Sequence, residues 1–526
     1  MELRKIKLHS CQKKGRAVNQ ITLDDDYNVP DYRPDIVKVL KEKGELVFDE
    51  ITPMAGAVWM KGKLIFKVLY RSDQDNGKIS SLQGEIPFQE KLNIEGLMEY
   101  DKIRAEGTID DLSISVIHSR KLSVRALIIL KAEVEEEQER EICSGVATEC
   151  NCEQRGRSVE ALQLMYAKKD FCRQKNEFTL PSSKPNVQEI LWKSIEIRNI
   201  SAYLGTEGIK ISGEVLVSLL YSEEEETDRI QWYETVLPLE CSVECDAAEA
   251  AVAEKDAEIV YKIRVLPVSK ELEVKPDYDG EERMLVMELG MNLDIRIWRE
   301  DKIELLEDLY SLEKQLIPIR EDAVLESLLV RNDSQCRLTE RIELVENQEK
   351  ILQICSCEGE VHLEKSTPRE GGVFAEGLLV VELLYITTDD KMPVGVLREI
   401  YPFEQLIEMP ETSGETVTEL ECALNQLSAV MLDQEHVEIK AVIGLDLLAL
   451  KEEKIDNITD VKEEVLDLEA LQKKPGLIGY IAKEGDLLWT IAKENHTTVE
   501  EIMRNNNKKE EKLERGEKIL VVKSVK

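Results

Sequence analysis

A nine-residue motif occurs three times in the chain and constrains the fold more than any other feature. It is GKLIFKVLY at residues 62–70, GEVLVSLLY at residues 213–221 and GLLVVELLY at residues 377–385. Apolar side chains occupy alternate positions and lead to a tyrosine in each copy, for example Leu64, Phe66, Val68 and Tyr70. Alternation with period two is the pattern of a strand with one buried face. The sequence therefore predicts one β-rich unit in three tandem copies.

Other features keep the same spacing around the motif. PDYRPDIVKVL (30–40) lies 151 residues before PSSKPNVQEIL (181–191), the same offset that separates the first two motifs. Apolar residues at i, i+3 and i+4 in these segments predict a helix of one to two turns, or a turn, at the start of each of the first two units. The apolar positions are Ile36, Val39, Leu40, Val187, Ile190 and Leu191. The third copy has EKIL (349–352) there, without the paired prolines.

Each unit also has a closing strand, which begins near residues 122, 283 and 437. In the second copy KPDYDGEE (275–282) precedes it and predicts an inserted turn. On the other face of the repeated strand the third residue before the tyrosine is polar, namely Lys67, Ser218 or Glu382. That face is predicted to meet water, which gives a sheet with one covered side. Many short strands separated by turn signals predict a β-sandwich or a barrel-like fold in each unit.

The repeats divide the chain into four folded units and three linkers. The predicted units are residues 18–137, 176–315 and 338–453, followed by a small module at 477–524. The charged or mixed segments 138–175, 316–337 and 454–476 are predicted to be linkers. The run EVEEEQERE (133–141) is interpreted as a solvated acidic surface.

Charge and hydropathy exclude several classes of partner. The 526 residues include 69 Lys and Arg against 106 Asp and Glu, a formal net charge of −37. Such a chain repels phosphate backbones and anionic lipids, so nucleic acid is not an expected partner. No window is apolar for the ~18 residues that a transmembrane segment needs. The N-terminal MELRKIKLHSCQKKG lacks an apolar run, so no secretory signal is expected and the chain is predicted to be cytoplasmic.

The chemistry-bearing residues form no catalytic or metal-binding pattern. The eleven cysteines are an odd number scattered through a long chain, which favours reduced thiols over a disulfide framework. Cys143, Cys150, Cys152 and Cys172 could supply four zinc ligands, but their gaps do not fit the usual spacing of a zinc site. None of the five histidines lies in a known catalytic motif. We therefore predict no enzyme activity, no catalytic residue, no cofactor and no metal.

Residues 477–524 have a different pattern, typical of strand, helix, helix and strand. Asp486 is predicted to cap the first helix, and Thr498 with Glu501 forms a capping box for the second. Gly516 is predicted to turn the chain into a final strand at 518–522. The segment resembles the LysM family, whose pattern is matched by Tyr480, Gly485, Asp486, Leu488, Trp489, Ile491, Ala492, Ile502, Asn506, Gly516 and Ile519.

The LysM resemblance implies a small α+β (βααβ) module. It also implies recognition of N-acetylglucosamine glycans by the turn after the first strand and the loop after the second helix. The candidate ligand- or partner-binding residues are Gly485, Asp486, Leu487, Leu488, Trp489, Asn505, Asn506 and Asn507. The chain departs from the family at Leu487, where a threonine is common, and at Asn505, where an apolar residue is common. Leu487 removes a hydroxyl and suits an apolar protein surface, so glycan and protein both remain candidate ligands.

The whole architecture resembles the SPOCS-domain, LysM-containing spore coat morphogenetic proteins of spore-forming Firmicutes. The opening signature LDDDYNVPDYRPDIVKVL (23–40), the three repeated strands and the terminal LysM carry this resemblance. It implies a mainly β fold of three SPOCS-type units followed by LysM. It also implies a non-catalytic scaffold that attaches or spreads coat proteins around the forespore, in the mother-cell cytoplasm at the forespore surface.

The implied protein partner is a spore-coat basement-layer ATPase or another coat protein. The alternative function is that of a glycan-binding LysM protein of the cell or spore wall, which recognises peptidoglycan. A LysM module in the cytosol would not meet peptidoglycan, and this conflict favours a protein ligand.

Overall fold

The computed structural model describes residues 1–73, 78–147, 151–223, 229–246, 248–249, 258–345, 348–389, 392–411 and 415–524. Cys150, one of the zinc candidates, lies outside them. The strands are β1 Leu3–Asn28, β2 Ile36–Met54, β3 Ala57–Ser72, β4 Ile79–Asn93, β5 Lys102–His118, β6 Lys121–Val146, β7 Glu153–Thr179, β8 Val187–Gly205, β9 Gly208–Glu223, β10 Ile230–Val243, β11 Glu258–Pro276, β12 Glu282–Tyr310, β13 Lys314–Glu343, β14 Ile351–Arg369, β15 Gly372–Thr387, β16 Val394–Glu408, β17 Glu415–Met431, β18 His436–Val465, β19 Leu477–Ile481 and β20 Lys518–Val522. The helices α1 Leu468–Lys473, α2 Leu488–Glu494 and α3 Val499–Asn505 all belong to the C-terminal part.

Each repeat consists of two antiparallel three-stranded sheets. The sheet orders are β2-β3-β4 with β1-β6-β5 in the first repeat, β8-β9-β10 with β7-β12-β11 in the second, and β14-β15-β16 with β13-β18-β17 in the third. The repeated motif is the central strand of one sheet, and the predicted closing strand is the central strand of the other. Their apolar faces enclose one core per repeat, where Phe66 and Tyr70 are fully buried. The prediction of three β-rich units followed by a small α+β module is confirmed.

The short helices predicted after the prolines are wrong, because these residues form strands β2 and β8. The pairing of β2 with β3 shifts register between Ile36 and Lys38 and again between Val39 and Lys41. Strand β8 has the same two shifts. Each β-bulge adds one unpaired residue and interrupts the period-two alternation. Two bulges three residues apart thus place apolar residues at a spacing that imitates one face of a helix.

In each of the first two repeats, an arginine side chain forms hydrogen bonds with the turn that contains the paired prolines. The Arg120 guanidinium donates hydrogen bonds to the carbonyl oxygens of Val29, Pro30 and Arg33, at 3.1, 2.9 and 2.6 Å. Arg283 donates to the corresponding carbonyls of the second repeat, and Tyr70 and Tyr221 donate to Pro34 and Pro185. The carbonyl of each arginine also accepts a backbone hydrogen bond, from Val29 or Leu180, and in the third repeat the carbonyl of Glu435 accepts the equivalent bond. The third repeat therefore lacks both the paired prolines and the arginine that binds their turn.

We expect Arg120→Ala to lower the free energy of unfolding by about 2 kcal/mol, because charge-assisted hydrogen bonds are each worth roughly 1.5–3 kcal/mol and water can replace part of them here. The measurement is urea unfolding, with hydrogen exchange to locate the loss at the start of β2. Arg125→Ala is the matched control, since within the described residues the ion pair of its exposed guanidinium is with the exposed Asp24. Equal losses for the two variants would contradict this role for Arg120.

The segments predicted to be linkers lie mostly in long strands, which corrects that assignment. Residues 138–175 include the end of β6 and most of β7, residues 316–337 lie in β13, and β18 extends to Val465. These strand extensions from all three repeats share a buried apolar cluster that includes Ile142, Ala161 and Leu305. Their charged residues cover its surface, which explains why the segments look polar in sequence. The limits of the repeats as separate domains stay a prediction.

The acidic run after the first repeat is part of β6 and pairs with the basic N-terminal strand β1. Lys5 and Lys7 of β1 form ion pairs with Glu141 and Glu139, at 3.0 and 2.6 Å. The acidic surface is therefore partly neutralised by cross-strand partners rather than being only solvated.

The predicted water-facing side of the repeated strand lies where the three repeats meet. Leu69, Leu220 and Leu384, which each precede the motif tyrosine, share one buried cluster with Trp192. Ser218 is buried in this region, which contradicts the prediction that it meets water. Both faces of the repeated strand are therefore covered, one by the core of its own repeat and one by neighbouring repeats.

A buried ionic cluster joins the three repeats beside these leucines. Lys41 of β2 has a fully buried side chain, whose Nζ lies 2.9 Å from an oxygen of Glu358 and 2.9 Å from one of Glu382. Lys43 also pairs with Glu358, at 2.5 Å. From the second repeat, the Trp192 indole N–H and the Ser194 hydroxyl donate to Glu358 at 3.1 and 3.0 Å. One carboxylate of the third repeat thus binds groups from both other repeats.

The second repeat contains a disulfide between Cys172 and Cys241, which corrects the prediction that all cysteines are reduced. Cys172 lies on β7 and Cys241 on β10, so the bond joins the two sheets of this repeat. The cysteines are 69 residues apart, and only the fold brings their Cα atoms to 6.6 Å. Seven other cysteines of the described residues form no disulfide there, namely Cys11, Cys143, Cys245, Cys336, Cys355, Cys357 and Cys422.

Candidate functional site

The C-terminal module is built on a two-stranded antiparallel sheet of β19 and β20, and helices α2 and α3 lie between the two strands in sequence. The final strand at 518–522 is confirmed. The Thr498 hydroxyl accepts a hydrogen bond from the Glu501 N–H at 3.1 Å, as expected for the N-cap of α3. The Glu501 carboxylate, however, accepts from the Thr497 hydroxyl at 2.8 Å, so the second half of the predicted capping box involves a different partner.

Asp486 does not cap α2, which corrects that prediction. The N-cap is Leu487, which has no side-chain cap. The Asp486 carboxylate instead accepts hydrogen bonds from the Lys483 N–H at 2.7 Å and the Tyr480 hydroxyl at 2.8 Å. These bonds hold the pKa of Asp486 below its usual value. Gly485 has φ 88°, a left-handed conformation that favours glycine, so this pair shapes the turn.

The first candidate loop comprises residues 485–489. Three of these five residues are exposed or partly exposed, and two are buried. Leu487 is 46% exposed, whereas Leu488 is 1% and Trp489 9% exposed. Leu488 and Trp489 pack in the core of the module with Ile491, Ile502 and Ile519. The apolar surface offered by this turn is therefore Leu487 alone.

Trp489 contacts the second repeat. Its indole N–H donates to Asp308 at 2.8 Å, and its ring packs edge-to-face on Tyr310 with 4.9 Å between centroids. The Tyr310 hydroxyl donates to the carbonyl of Thr497 at 2.8 Å, and Lys493 forms an ion pair with Asp308 at 2.7 Å. The module follows the third repeat in sequence but docks on strand β12 of the second.

Asp308 and Tyr310 are residues that sequence reasoning missed. They end β12, just after a register shift between Leu306 and Asp308. Burial opposes ionisation of Asp308, but hydrogen bonds from Lys493 and Trp489 outweigh it, so the pKa of Asp308 lies below its usual value. No sequence signal could reveal the contact, because Asp308 and Trp489 are 181 residues apart.

The second candidate loop follows α3. Asn505 and Asn507 are exposed, and Asn507 has φ 53°. The side-chain amide of Asn506 donates to the Leu520 carbonyl and its oxygen accepts from the Leu520 N–H, both at 2.7 Å. Asn506 therefore joins the end of α3 to strand β20.

A shallow cavity of about 490 Å³ lies beside the first loop. It is lined by residues 481–484 together with Arg515 and Gly516. None of Asn505, Asn506 and Asn507 lines it, so the structure does not bring the two predicted loops together around this cavity. Within the described residues no group of His, Cys, Asp and Glu is arranged to hold a metal ion. In that same part of the chain, no helix is long and apolar enough to cross a membrane.

Comparison with known families identifies both kinds of unit. The family model described as SipL, SPOCS domain matches residues 35–117, 186–269 and 350–432, once in each repeat. The LysM domain model matches residues 480–522. No curated protein and no solved structure matches the chain.

These matches agree with a sporulation-related protein. SPOCS and LysM are non-catalytic domain families. The LysM match is consistent with glycan binding, and the SPOCS match points to a sporulation or spore coat location. With three SipL SPOCS domains followed by one LysM domain, the chain belongs to the SPOCS/LysM, SipL-like family.

Proposed function

We propose that this protein is a non-catalytic adaptor in spore coat assembly, which holds coat proteins at the forespore surface in the mother-cell cytoplasm. The observation that carries the proposal is the docking of LysM on the second repeat through Trp489, Tyr310 and Asp308. Because the repeats share buried clusters and LysM packs on the second repeat, the surfaces of LysM and of the repeats lie at a fixed spacing. An adaptor needs this property to hold two coat components together.

The side chains of the LysM turn at residues 485–487 favour a protein ligand over a sugar. A hydroxyl common in the family is replaced by the exposed Leu487, and the Asp486 carboxylate is occupied by bonds within the turn. An exposed leucine suits an apolar contact on a protein better than a sugar. The proposed partner is a spore-coat basement-layer ATPase or another coat protein.

Glycan binding is the second candidate, favoured by the cavity beside this turn. Its rim carries Glu484 and Arg515, which offer polar contacts to a sugar. In this case the ligand would be an N-acetylglucosamine glycan of peptidoglycan, in the cell or spore wall.

The two functions predict different results for the full-length chain. If the protein is an adaptor, a fluorescent fusion is expected to form a shell around the forespore during sporulation. Calorimetry with purified muropeptides is then expected to show no binding up to about 1 mM, which corresponds to a binding free energy weaker than about −4 kcal/mol. Leu487→Thr, which restores the family hydroxyl, is the matched variant. It is expected to weaken the shell because it removes the apolar contact. Micromolar muropeptide binding by the unmodified chain, or a fusion at the vegetative wall, would overturn the adaptor proposal.

A further inference from the structure

The two strands of the LysM sheet differ in the state of their outer edges. On β20 the Leu520 N–H and carbonyl both bond to the side chain of Asn506. This amide occupies the positions at which another strand would pair. The outer edge of β20 is therefore closed by the module itself.

The outer edge of β19 is open. Gly479 lies opposite Leu520, and because Leu520 directs its backbone groups away from β19, the pair is a non-hydrogen-bonded one. The N–H and carbonyl of Gly479 consequently point outward, as do those of Leu477 and Ile481. Within the residues that the structure describes, these three residues make no hydrogen bond at that edge. A Cβ added at Gly479 would meet nothing within 4 Å, so another backbone can approach closely.

Apolar side chains border this edge. Leu477 and Ile481 are 63% and 61% exposed on the face of β19 that also carries Gly479, and Leu520 of β20 is 39% exposed beside them. These exposures hold with LysM docked, because Trp489 and Tyr310 meet on the helix side of the module. The open edge and its apolar border thus point away from the repeats.

The charges near the edge indicate the kind of segment that fits. Lys518 lies opposite Ile481, and Lys483 follows it by two residues. Neither lysine forms an ion pair within the described residues. Residues 477–524 carry nine basic and nine acidic side chains, in a chain whose net charge is −37. This is consequently a place on the protein where an acidic segment can approach without the repulsion of the repeats.

We propose that β19 is a docking edge, to which an extended acidic segment of a partner protein adds as a third strand. Its backbone pairs with residues 477–481, its apolar side chains contact Leu477, Ile481 and Leu520, and its carboxylates lie near Lys483 and Lys518. Strand addition of this kind takes affinity from main-chain hydrogen bonds and specificity from alternate side chains. The inference rests on the proposed protein-binding role of LysM and names the edge that performs it.

The test uses the full-length chain and a fluorescein-labelled eight-residue peptide with valine at alternate central positions and glutamate at both ends, because Lys518 lies on the same face as Leu477 and Ile481. Gly479→Pro removes the outward N–H and is tolerated at an edge, whereas Gly479→Ala keeps this N–H and places its Cβ in open space. By fluorescence anisotropy we expect the proline variant to bind at least about tenfold more weakly and the alanine variant within about twofold of the unmodified chain. Hydrogen exchange is expected to slow at residues 477–481 on binding. No binding to the unmodified chain, or equal binding by both variants, would overturn the proposal.

A second pair of variants guards against misfolding of the proline variant. Leu477→Glu places a charge on an exposed edge position and is expected to repel the peptide, whereas Val465→Glu changes a residue that is 91% exposed outside the module. Equal binding by these two variants also overturns the edge proposal. The forespore shell separates this inference from the adaptor role: if the unmodified fusion forms the shell and Gly479→Pro forms it equally well, only the edge assignment fails.

Discussion

Glu358→Gln is expected to lower the free energy of unfolding by about 3 kcal/mol at pH 7, because breaking a buried ion pair typically costs about 3–5 kcal/mol and Lys41 retains Glu382. The substitution leaves the buried Lys41 ammonium with one of its two carboxylates. It also weakens the acceptor of Trp192 and Ser194. Because these groups come from three repeats, the loss is expected at the junction of the repeats rather than in one core.

Urea unfolding followed by tryptophan fluorescence measures this effect, since Trp192 lies in the cluster. Glu85→Gln is the matched control, because Glu85 and Lys63 form an ion pair that is largely exposed to water. We expect this control to change stability by less than about 0.5 kcal/mol. A loss of that small size for Glu358→Gln would contradict a structural role for the cluster.

The same variant is expected to respond less to acid. Burial alone would raise the pKa of Glu358, but the charges and hydrogen bonds of Lys41 and Lys43 outweigh it and lower this pKa well below the value of about 4.3 in an unfolded chain. For a lowered pKa, the stabilisation is complete above the unfolded value and is lost as pH falls towards the folded one. The difference between the unmodified chain and Glu358→Gln should therefore shrink below about pH 4.

Two partly buried carboxyl groups, those of Glu42 and Glu326, have the opposite effect on the pH dependence of stability. Burial raises the pKa of Glu42 and of Glu326 to about 7. The stabilisation of the folded state that comes from these raised pKa values is complete below about pH 4.3 and is lost as pH rises through 7. The pH profile of the chain alone mixes both effects, so the comparison with Glu358→Gln is needed to isolate the ionic cluster.

The sequence predicted the parts of the fold that depend on local pattern. Alternation identified the faces of Leu64, Phe66 and Val68, because a buried strand face must be apolar at every second residue. It failed at Ile36 and Val39, where β-bulges break the alternation. It also failed for the linkers, because the apolar residues of the strand extensions are diluted by charges on their outer faces.

The candidate site was less predictable, because its residues depend on contacts distant in sequence. The LysM pattern located the turn and the helices, and it placed Asn506 and Trp489 where the family has them. It could not show that Asn506 closes the edge of β20 or that Trp489 packs on Tyr310. Both side chains have polar groups that suit a ligand, and only the fold shows that the protein itself satisfies them.

Tyr310→Ala is expected to release LysM from the repeats without changing the sequence of the module. Tyr310 is 5% exposed, and its ring contacts Trp489 while its hydroxyl binds the Thr497 carbonyl. Burial raises the pKa of this hydroxyl, so it stays protonated and able to donate. Truncation of a large buried aromatic side chain costs about 3–5 kcal/mol, which exceeds what the Asp308 contacts with Trp489 and Lys493 can offset.

Limited proteolysis of the segment 466–476 and hydrogen exchange at residues 488–497 measure the release. Tyr310→Phe is the matched control, because it keeps the ring contact and loses one hydrogen bond, worth about 1 kcal/mol. We expect fast cleavage and exchange in the alanine variant and nearly unchanged behaviour in the phenylalanine variant. Since the adaptor role depends on a fixed spacing between LysM and the repeats, Tyr310→Ala should also weaken the forespore shell. Protection of residues 488–497 that is the same in both variants would show that other contacts hold the module.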